Sequence, residues 1–212
     1  MNANQLWVVK LGGSLLGSVE LSQWLALLAK QGKRQVVIVP GGGVFADAVR
    51  LAQKLSRIDD ALAHELALLA MDQFGLLLTG MQSGLVTAAS ELEIAERGWQ
   101  HKTVVWLPSK MVLADTAVEQ SWRVTSDSLS AWLASKLGAD QLLVIKSIDL
   151  CPYLKHPHGV AAKLLADEVI DARFLESIAG QAYQTSLLNK SDSALFESEL
   201  SAPCWQEKAL LI

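Results

Sequence analysis

Short runs of apolar residues alternate along the chain with longer segments in which apolar residues recur at helical spacing. The first apolar runs occupy residues 6–9 and 36–39, and segments of helical period follow them at residues 21–30 and 44–54. Consecutive apolar residues, many of them β-branched, are typical of strands that are buried on both faces. The alternation therefore predicts an α/β fold with a parallel sheet covered by helices on both sides.

The same pattern predicts elements along the rest of the chain. Further strands are expected near residues 75–78, 103–107, 142–145 and 208–212. Further helices are expected near residues 61–72, 83–97, 128–137 and 172–178. Residues 151–160 contain two prolines, two histidines and a glycine, and this composition predicts a loop. Such a loop is either a plain surface connection or a binding loop.

The composition favours one compact domain that binds a small molecule. The chain has 212 residues, 51% of them hydrophobic, and a formal net charge of -4. This length predicts a single domain over residues 1–212, and the charge provides no broad basic surface for nucleic acid. Apolar stretches are interrupted before they could span a bilayer, and Cys151 and Cys204 have neither metal-site nor disulfide spacing. We therefore expect a cytoplasmic protein that binds neither nucleic acid nor membranes.

Two glycine-rich turns carry the first candidate chemistry. The first strand runs into Lys-Leu-Gly-Gly-Ser at residues 10–14, and the second into Pro-Gly-Gly-Gly at residues 40–43. Glycines let the backbone approach an anion and leave amide N–H groups free to bind it, and Lys10 adds a positive charge. Either turn alone is explained equally well as a tight connection. Together, at the carboxyl ends of neighbouring strands, they predict a phosphate-binding centre.

Other phosphate-binding motifs fit less well. The Walker sequence G-x-x-x-x-G-K-[ST] does not occur in the chain. Gly41, Gly43 and Ala46 satisfy a minimal dinucleotide-binding pattern, G-x-G-x-x-A. That pattern expects an acidic residue at the end of the next strand, whereas Asp59 and Asp60 open a helical segment. A dinucleotide site is therefore the weaker interpretation.

The sequence Thr-Ser-Asp-Ser at residues 125–128 precedes a predicted helix and has two interpretations. Ser, Thr and Asp are common N-caps, and a cap alone explains this composition. Alternatively, Asp127 is a buried acceptor that orients Lys10 and a metal-bound phosphate. The residues by themselves favour the cap.

In chain order, residues 8–14, 37–43, 125–128 and 139–149 resemble the amino acid kinase superfamily. The resemblance implies a three-layer αβα sandwich around a mostly parallel sheet of roughly eight strands. It also implies an ATP-dependent kinase that transfers the γ-phosphoryl group to a small phosphate- or carboxylate-bearing acceptor. Magnesium, as Mg²⁺, is expected to bridge the nucleotide phosphates, with no protein ligand assigned to it. Homodimers are common in this family.

The resemblance further assigns a role to individual residues. The catalytic residues would be Lys10 and Asp127, with Asp127 holding the lysine in place. The transferring phosphoryl group would be bound by Gly12, Gly13 and Ser14. The acceptor would be bound by Gly41, Gly42, Gly43, Thr125 and Ser126. The nucleotide would be bound by Lys146, Asp149 and Tyr153.

Two departures from the family pattern leave a second hypothesis open. The family's Val-Asp-Gly turn has become Ile-Asp-Leu at residues 148–150, and the motif that supplies a second phosphate-contacting lysine is not evident. Lys155, Lys163 and Lys190 are the candidates to replace that lysine. The alternative function is accordingly a non-catalytic member of the fold that binds a nucleotide or metabolite and regulates.

Residues 70–78 and 121–128 resemble a short subgroup that includes the aminomethylfuran phosphate kinase of methanofuran biosynthesis, which implies an aminomethylfuran phosphate as acceptor.

The helix that carries His64, Asp72 and Gln73 is a candidate wall of the acceptor site, although helical spacing favours a core role. Trp122 and Trp132 flank Asp127, and packing is favoured over stacking on a substrate. The apolar region at residues 55–78 is a candidate dimer interface.

Overall fold

The computed structural model describes residues 5–30, 34–154, 159–199 and 210–211. Two residues singled out in the sequence, Lys155 and Cys204, lie outside these ranges, as does most of the second half of the predicted 151–160 loop. Within the described ranges one sheet runs through the molecule in the order β3-β4-β2-β1-β5-β6-β7. Its strands are β1 Leu6–Leu11, β2 Gln35–Pro40, β3 Leu85–Ala88, β4 Thr103–Trp106, β5 Gln141–Lys146, β6 Gln184–Asn189 and β7 Leu210–Leu211.

The predicted, mostly parallel sheet is confirmed. The first six strands pair in parallel, and β7 pairs antiparallel with β6. The expected count of roughly eight strands is not confirmed, since the described ranges hold seven. The helices are α1 Val19–Leu28, α2 Gly43–Ser56, α3 Asp60–Met81, α4 Glu91–Trp99, α5 Ser109–Leu113, α6 Ser126–Leu137, α7 Cys151–Leu154, α8 Val160–Ala166, α9 Phe174–Ile178 and α10 Ser193–Glu199.

Alternate residues of the strands enter two separate hydrophobic cores. Val8 and Val144 pack with α3, α4 and α6 on one face of the sheet. Val9 and Ile145 pack with α1 and α10 on the other face. Since side chains alternate along a strand, Lys10 and Lys146 point toward the face that α6 covers. This alternation places both lysines beside the N-terminal turn of α6.

Three predicted elements differ from the structure in whole or in part. Residues 75–78 are not a strand but the last part of α3, where a Cβ on Gly75 would lie 2.9 Å from Leu107 Cδ2, so the glycine permits close packing on the sheet. The predicted helix at residues 83–97 begins with strand β3, and its helix starts only at Glu91. The predicted loop at residues 151–160 contains α7 and the start of α8.

Helix α3 is long and apolar enough, by length and composition alone, to cross a membrane. In this fold 44% of its apolar window is buried, and Leu68, Phe74 and Leu78 belong to the two cores. Its Asp72 also accepts a hydrogen bond from the Ser109 amide at 3.2 Å. We interpret α3 as the central helix of a folded domain. A helix of that kind can be as long and as apolar as one that spans a membrane.

Candidate active site

The two glycine turns pack backbone against backbone at the carboxyl ends of β1 and β2. A Cβ on Gly13 would lie 2.1 Å from Gly43 N, and one on Gly41 would lie 2.4 Å from Gly13 N. Gly43 also has a φ of +54°, which other residues rarely adopt. The Gly41 amide donates to the Leu11 carbonyl at 2.8 Å and ties the turns together. Glycine is therefore required at these positions by the contact between the turns, quite apart from any ligand.

Asp127 binds two lysines beneath these turns. Lys10 Nζ lies 2.9 Å from Asp127 Oδ1, and Lys146 Nζ lies 2.6 Å from Asp127 Oδ2. All three side chains are buried, with exposures of 10% or less. Asp127 is therefore buried and contacts Lys10, as the second interpretation of residues 125–128 requires. Lys146, which sequence reasoning assigned only to the nucleotide, is the second lysine of this cluster.

Burial and charge compete in setting the protonation of this cluster. Burial alone would raise the pKa of Asp127, but the charges of Lys10 and Lys146 outweigh it and lower the pKa to about 2. Burial, together with the charge of Lys10, lowers the pKa of Lys146 to about 8, although Asp127 opposes this shift. Two ammonium groups therefore face one carboxylate at neutral pH. The net positive charge suits the stabilisation of a phosphoryl group in transfer.

Asp171 caps the N-terminus of α6 from a distant part of the chain. Its Oδ2 accepts hydrogen bonds from Thr125 N at 2.9 Å, Thr125 Oγ1 at 2.8 Å and Ser128 N at 2.9 Å. Its Oδ1 accepts from Ser128 Oγ. Because Asp171 caps the helix, Asp127 in the first turn is free to bind the lysines. Sequence reasoning missed Asp171, and no local signal links it to residue 125.

A cleft of about 500 Å³ opens on one side of the cluster, between α2, α3 and the turn before α6. We call it the α2–α3 cleft. Of the five predicted acceptor residues, Gly42, Gly43, Thr125 and Ser126 line this cleft, whereas Gly41 does not. Its lining also includes Gly13, Ser14, Asp47, Arg50, His64 and Trp122.

A second cleft, of about 410 Å³, opens on the other side of the cluster. We call it the β5 cleft, and it is lined by Lys10, Ser14, Lys146, Tyr153 and Asp167, among others. Of the three predicted nucleotide residues, Lys146 and Tyr153 therefore lie in this cleft. Ser14 lines both clefts, and Ser147 Oγ donates to Ser14 Oγ at 3.0 Å. Two ligands, one in each cleft, would thus meet at Ser14.

Two of the predicted nucleotide residues have structural contacts as well. Asp149, which is not among the lining residues of the β5 cleft, accepts a hydrogen bond from Cys151 N at 2.9 Å at the start of α7. Tyr153 donates its hydroxyl to Asp167 Oδ2 at 2.8 Å, which raises the pKa of Tyr153. Of the proposed replacement lysines that the structure describes, Lys163 lies beside the β5 cleft, with its Nζ 5.7 Å from the Tyr153 ring centroid, whereas Lys190 pairs with Glu20 at 3.2 Å.

Of the three α3 residues predicted to form a wall of the acceptor site, Asp72 and Gln73 are not among the lining residues of the α2–α3 cleft. His64 lines the α2–α3 cleft, and it is 4% exposed. Asp72 instead binds Ser109 at the start of α5, and burial raises the pKa of its carboxyl. Trp132 stacks on Trp106 in the core with ring centroids 5.8 Å apart, as the packing interpretation predicts. Trp122 is different, because it lies in the cleft against α2.

Comparison with known proteins decides the family. The sequence model of the amino acid kinase family matches residues 5–187. The chain belongs to this family. Solved structures of the family's fold agree: uridylate kinase from Archaeoglobus fulgidus superposes with a TM-score of 0.66 at 16% identity, covering 92% of this chain and 95% of that one. UMP kinase from Ureaplasma parvum gives 0.64 at 17% identity, with 88% and 90% covered.

One curated relative is more similar in sequence. The chain is 34% identical over 154 residues to (5-(aminomethyl)furan-3-yl)methyl phosphate kinase from Methanocaldococcus jannaschii, which covers 72% of this chain and 70% of the relative. The family and this relative identify the chain as an ATP-dependent kinase, a phosphotransferase, as the sequence predicted. The alternative of a non-catalytic regulatory member has no support in these comparisons.

Proposed function

We propose that this kinase transfers the γ-phosphoryl group of ATP to the phosphate group of a small acceptor of the aminomethylfuran phosphate type. The similarity to the M. jannaschii enzyme supports this acceptor class. The observation that carries the proposal is the buried cluster of Lys10, Asp127 and Lys146, whose two lysines line the β5 cleft beside Ser14, the residue that lines both clefts. A kinase that joins a donor to an anionic acceptor needs such an arrangement, since both ligands bring negative charge to one point.

In this mechanism the β5 cleft binds the nucleotide and the α2–α3 cleft binds the acceptor. Lys10 and Lys146 neutralise the charge that builds up on the transferring group, and Asp127 holds both ammonium groups in position. The amide groups of Gly12, Gly13 and Ser14 bind the same oxygens. The acceptor phosphate is already ionised at neutral pH, so alignment and charge neutralisation supply most of the catalysis.

Mg²⁺ is proposed to enter with the nucleotide. It would neutralise and bridge the nucleotide phosphates, which is its usual function beside ATP. Among the residues that the structure describes, no group of three or more His, Cys, Asp or Glu side chains could hold a metal ion. Both carboxylate oxygens of Asp127 already face lysines. We therefore expect the phosphates, rather than a protein carboxylate, to provide most of the metal's ligands.

We also propose that residues 1–212 act as one cytoplasmic kinase domain that forms a homodimer. Helices α2 and α3 expose apolar side chains, including Leu51 at 59%, Leu55 at 76% and Leu69 at 43%. Burying them against a second copy would remove this surface from water.

Measurement of ADP release with ATP, Mg²⁺ and a panel of small phosphate and carboxylate acceptors tests the proposal. We expect turnover with a phosphate-bearing acceptor and its loss when Mg²⁺ is removed by a chelator. Lys10→Ala should lower kcat by about 10² or more, the scale for removal of one stabilising donor. Lys54→Ala, at an exposed position of α2, is the matched control. Undiminished turnover by Lys10→Ala would contradict the role assigned to Lys10.

A further inference from the structure

Asp47 is a carboxylate in the α2–α3 cleft that the mechanism above does not use. It lies on α2, four residues after Gly43, and it is exposed. Within the described part of the chain Asp47 makes neither a salt bridge nor a hydrogen bond. One turn of helix separates it from the glycine turns, so its backbone lies about 6 Å along the helix axis from Gly43. An anion at the glycine turns and a cation at Asp47 would therefore fit within one small molecule.

Trp122 closes the cleft beyond Asp47. Arg50 Cζ lies 3.7 Å from the centroid of its ring, and its indole nitrogen donates to Gln53 Oε1 at 2.7 Å. Arg50 and Gln53 lie on successive turns of α2, so the indole is fixed against this helix from two positions. Arg50 lies about 10 Å along the helix axis from Gly43. The Trp122 ring held against Arg50 therefore limits the length of an acceptor to roughly that of one small ring with short arms.

One part of the cleft lining is apolar and uncharged. Leu68, Met71 and Leu129 line it, and all three are buried. His64, the polar residue among them, has an Nε2 atom without a hydrogen-bond partner in the described residues. Burial lowers the pKa of His64, which favours the neutral imidazole. A flat, uncharged ring would bury its faces here without leaving a charge unpaired.

We propose that Asp47 determines acceptor specificity by binding a protonated amine, so that the kinase selects a small ring that carries a phosphate on one arm and an ammonium group on the other. This inference rests on the proposed function, because it takes the acceptor phosphate to lie at the glycine turns. Asp47 is remote from the transferring group and acts on binding of the acceptor. Arg50 is the alternative determinant, and it would favour a second anion instead. Its guanidinium, however, covers the Trp122 ring one turn further along, whereas Asp47 has no described partner.

Steady-state kinetics with paired acceptors test this assignment. The pair is an aminomethylfuran phosphate and its analogue with a methyl group in place of the aminomethyl group. The wild-type enzyme should prefer the amine by about tenfold or more in kcat/KM, the scale of one charged hydrogen bond. Asp47→Asn should raise KM for the amine about tenfold, with kcat within about twofold, and should leave the methyl analogue unaffected. Asp47→Glu should retain the preference.

Glu65→Gln is the matched control, because Glu65 is an exposed carboxylate on α3 outside the lining of the cleft. Its kinetics should equal those of the wild type, and thermal unfolding should show that both variants are folded. Turnover of both acceptors with an unchanged preference in Asp47→Asn would overturn this inference and leave the proposed function standing. A wild-type preference for an analogue with a carboxylate in place of the aminomethyl group would also overturn it. No turnover of either acceptor by the wild type would overturn the proposed function itself, and this inference with it.

Discussion

Lys146 gives the sharpest prediction, because its charge depends on pH within the range of an ordinary assay. Its ammonium group is buried and lies 2.6 Å from Asp127 Oδ2. Burial and the neighbouring Lys10 lower its pKa to about 8. The proton is therefore present below pH 8 and is lost above it. If the ammonium neutralises the transferring group, activity should fall as the pH rises through this value.

The size of the fall follows from the titration. One pH unit above the pKa, about one-tenth of the molecules keep the proton, so kcat/KM of the free enzyme should drop about tenfold from its plateau. Lys146→Arg keeps its charge throughout, because a guanidinium has a pKa above about 12. Its kcat/KM should be lower at neutral pH, since the planar group does not reproduce the ammonium geometry. It should nevertheless stay level across the same pH range.

The assay is ADP release between about pH 6.5 and 9.5, with ATP and acceptor both well below saturation, so that kcat/KM of the free enzyme is measured. Lys146→Met, which cannot carry a charge, should be strongly impaired at every pH. Lys54→Arg, an exposed lysine on α2, should show the wild-type profile. An alkaline fall in Lys146→Arg that equals the wild-type fall would show that a group other than Lys146 is responsible, and would contradict this role of Lys146.

Three further predictions concern stability and assembly. Gly13→Ala places a Cβ 2.1 Å from Gly43 N and should destabilise the fold by about 2 kcal/mol or more in denaturant unfolding, whereas Gly80→Ala, with open space at the Cβ, should not destabilise it. Asp171→Asn should weaken the cap of α6 and lower the free energy of unfolding by about 1–2 kcal/mol in the same assay. It should also lower kcat, and an unchanged kcat would contradict a role of Asp171 in positioning Asp127. Leu55→Glu should convert a dimer to a monomer in sedimentation, whereas Leu92→Glu, equally exposed at 76%, should not.

The parts of the site that depend on local sequence were predictable. Glycines at the end of an apolar run indicate a turn in which the backbone can approach its neighbours closely, and both turns lie where the pattern predicts. Lys10 follows from the same reasoning because strand alternation fixes its face. The strands at the centre of the sheet, β1, β2 and β5, were predictable as well, since their apolar runs are uninterrupted.

Other features depend on contacts between distant segments. The residues before α6 favoured a cap, yet the cap comes from Asp171, which is 46 positions beyond Thr125. The family resemblance assigned Lys146 to the nucleotide, and its contact with Asp127 was not predicted because that contact depends on how α6 packs on the sheet. Strand β6 was missed because Thr185 and Ser186, both buried, give it a polar pattern. The four residues of β3 are too few to distinguish strand from helix by periodicity.

Phosphorus-31 NMR of the complete reaction distinguishes phosphoryl transfer to the acceptor from hydrolysis of ATP. The wild-type protein would be mixed with ATP, Mg²⁺ and an aminomethylfuran phosphate, and the fate of the γ-phosphorus would be followed. We predict that the acceptor's phosphate monoester signal is replaced by a pair of coupled diphosphate signals, in step with the appearance of ADP. Release of ADP with inorganic phosphate alone, and an unchanged acceptor signal, would contradict it.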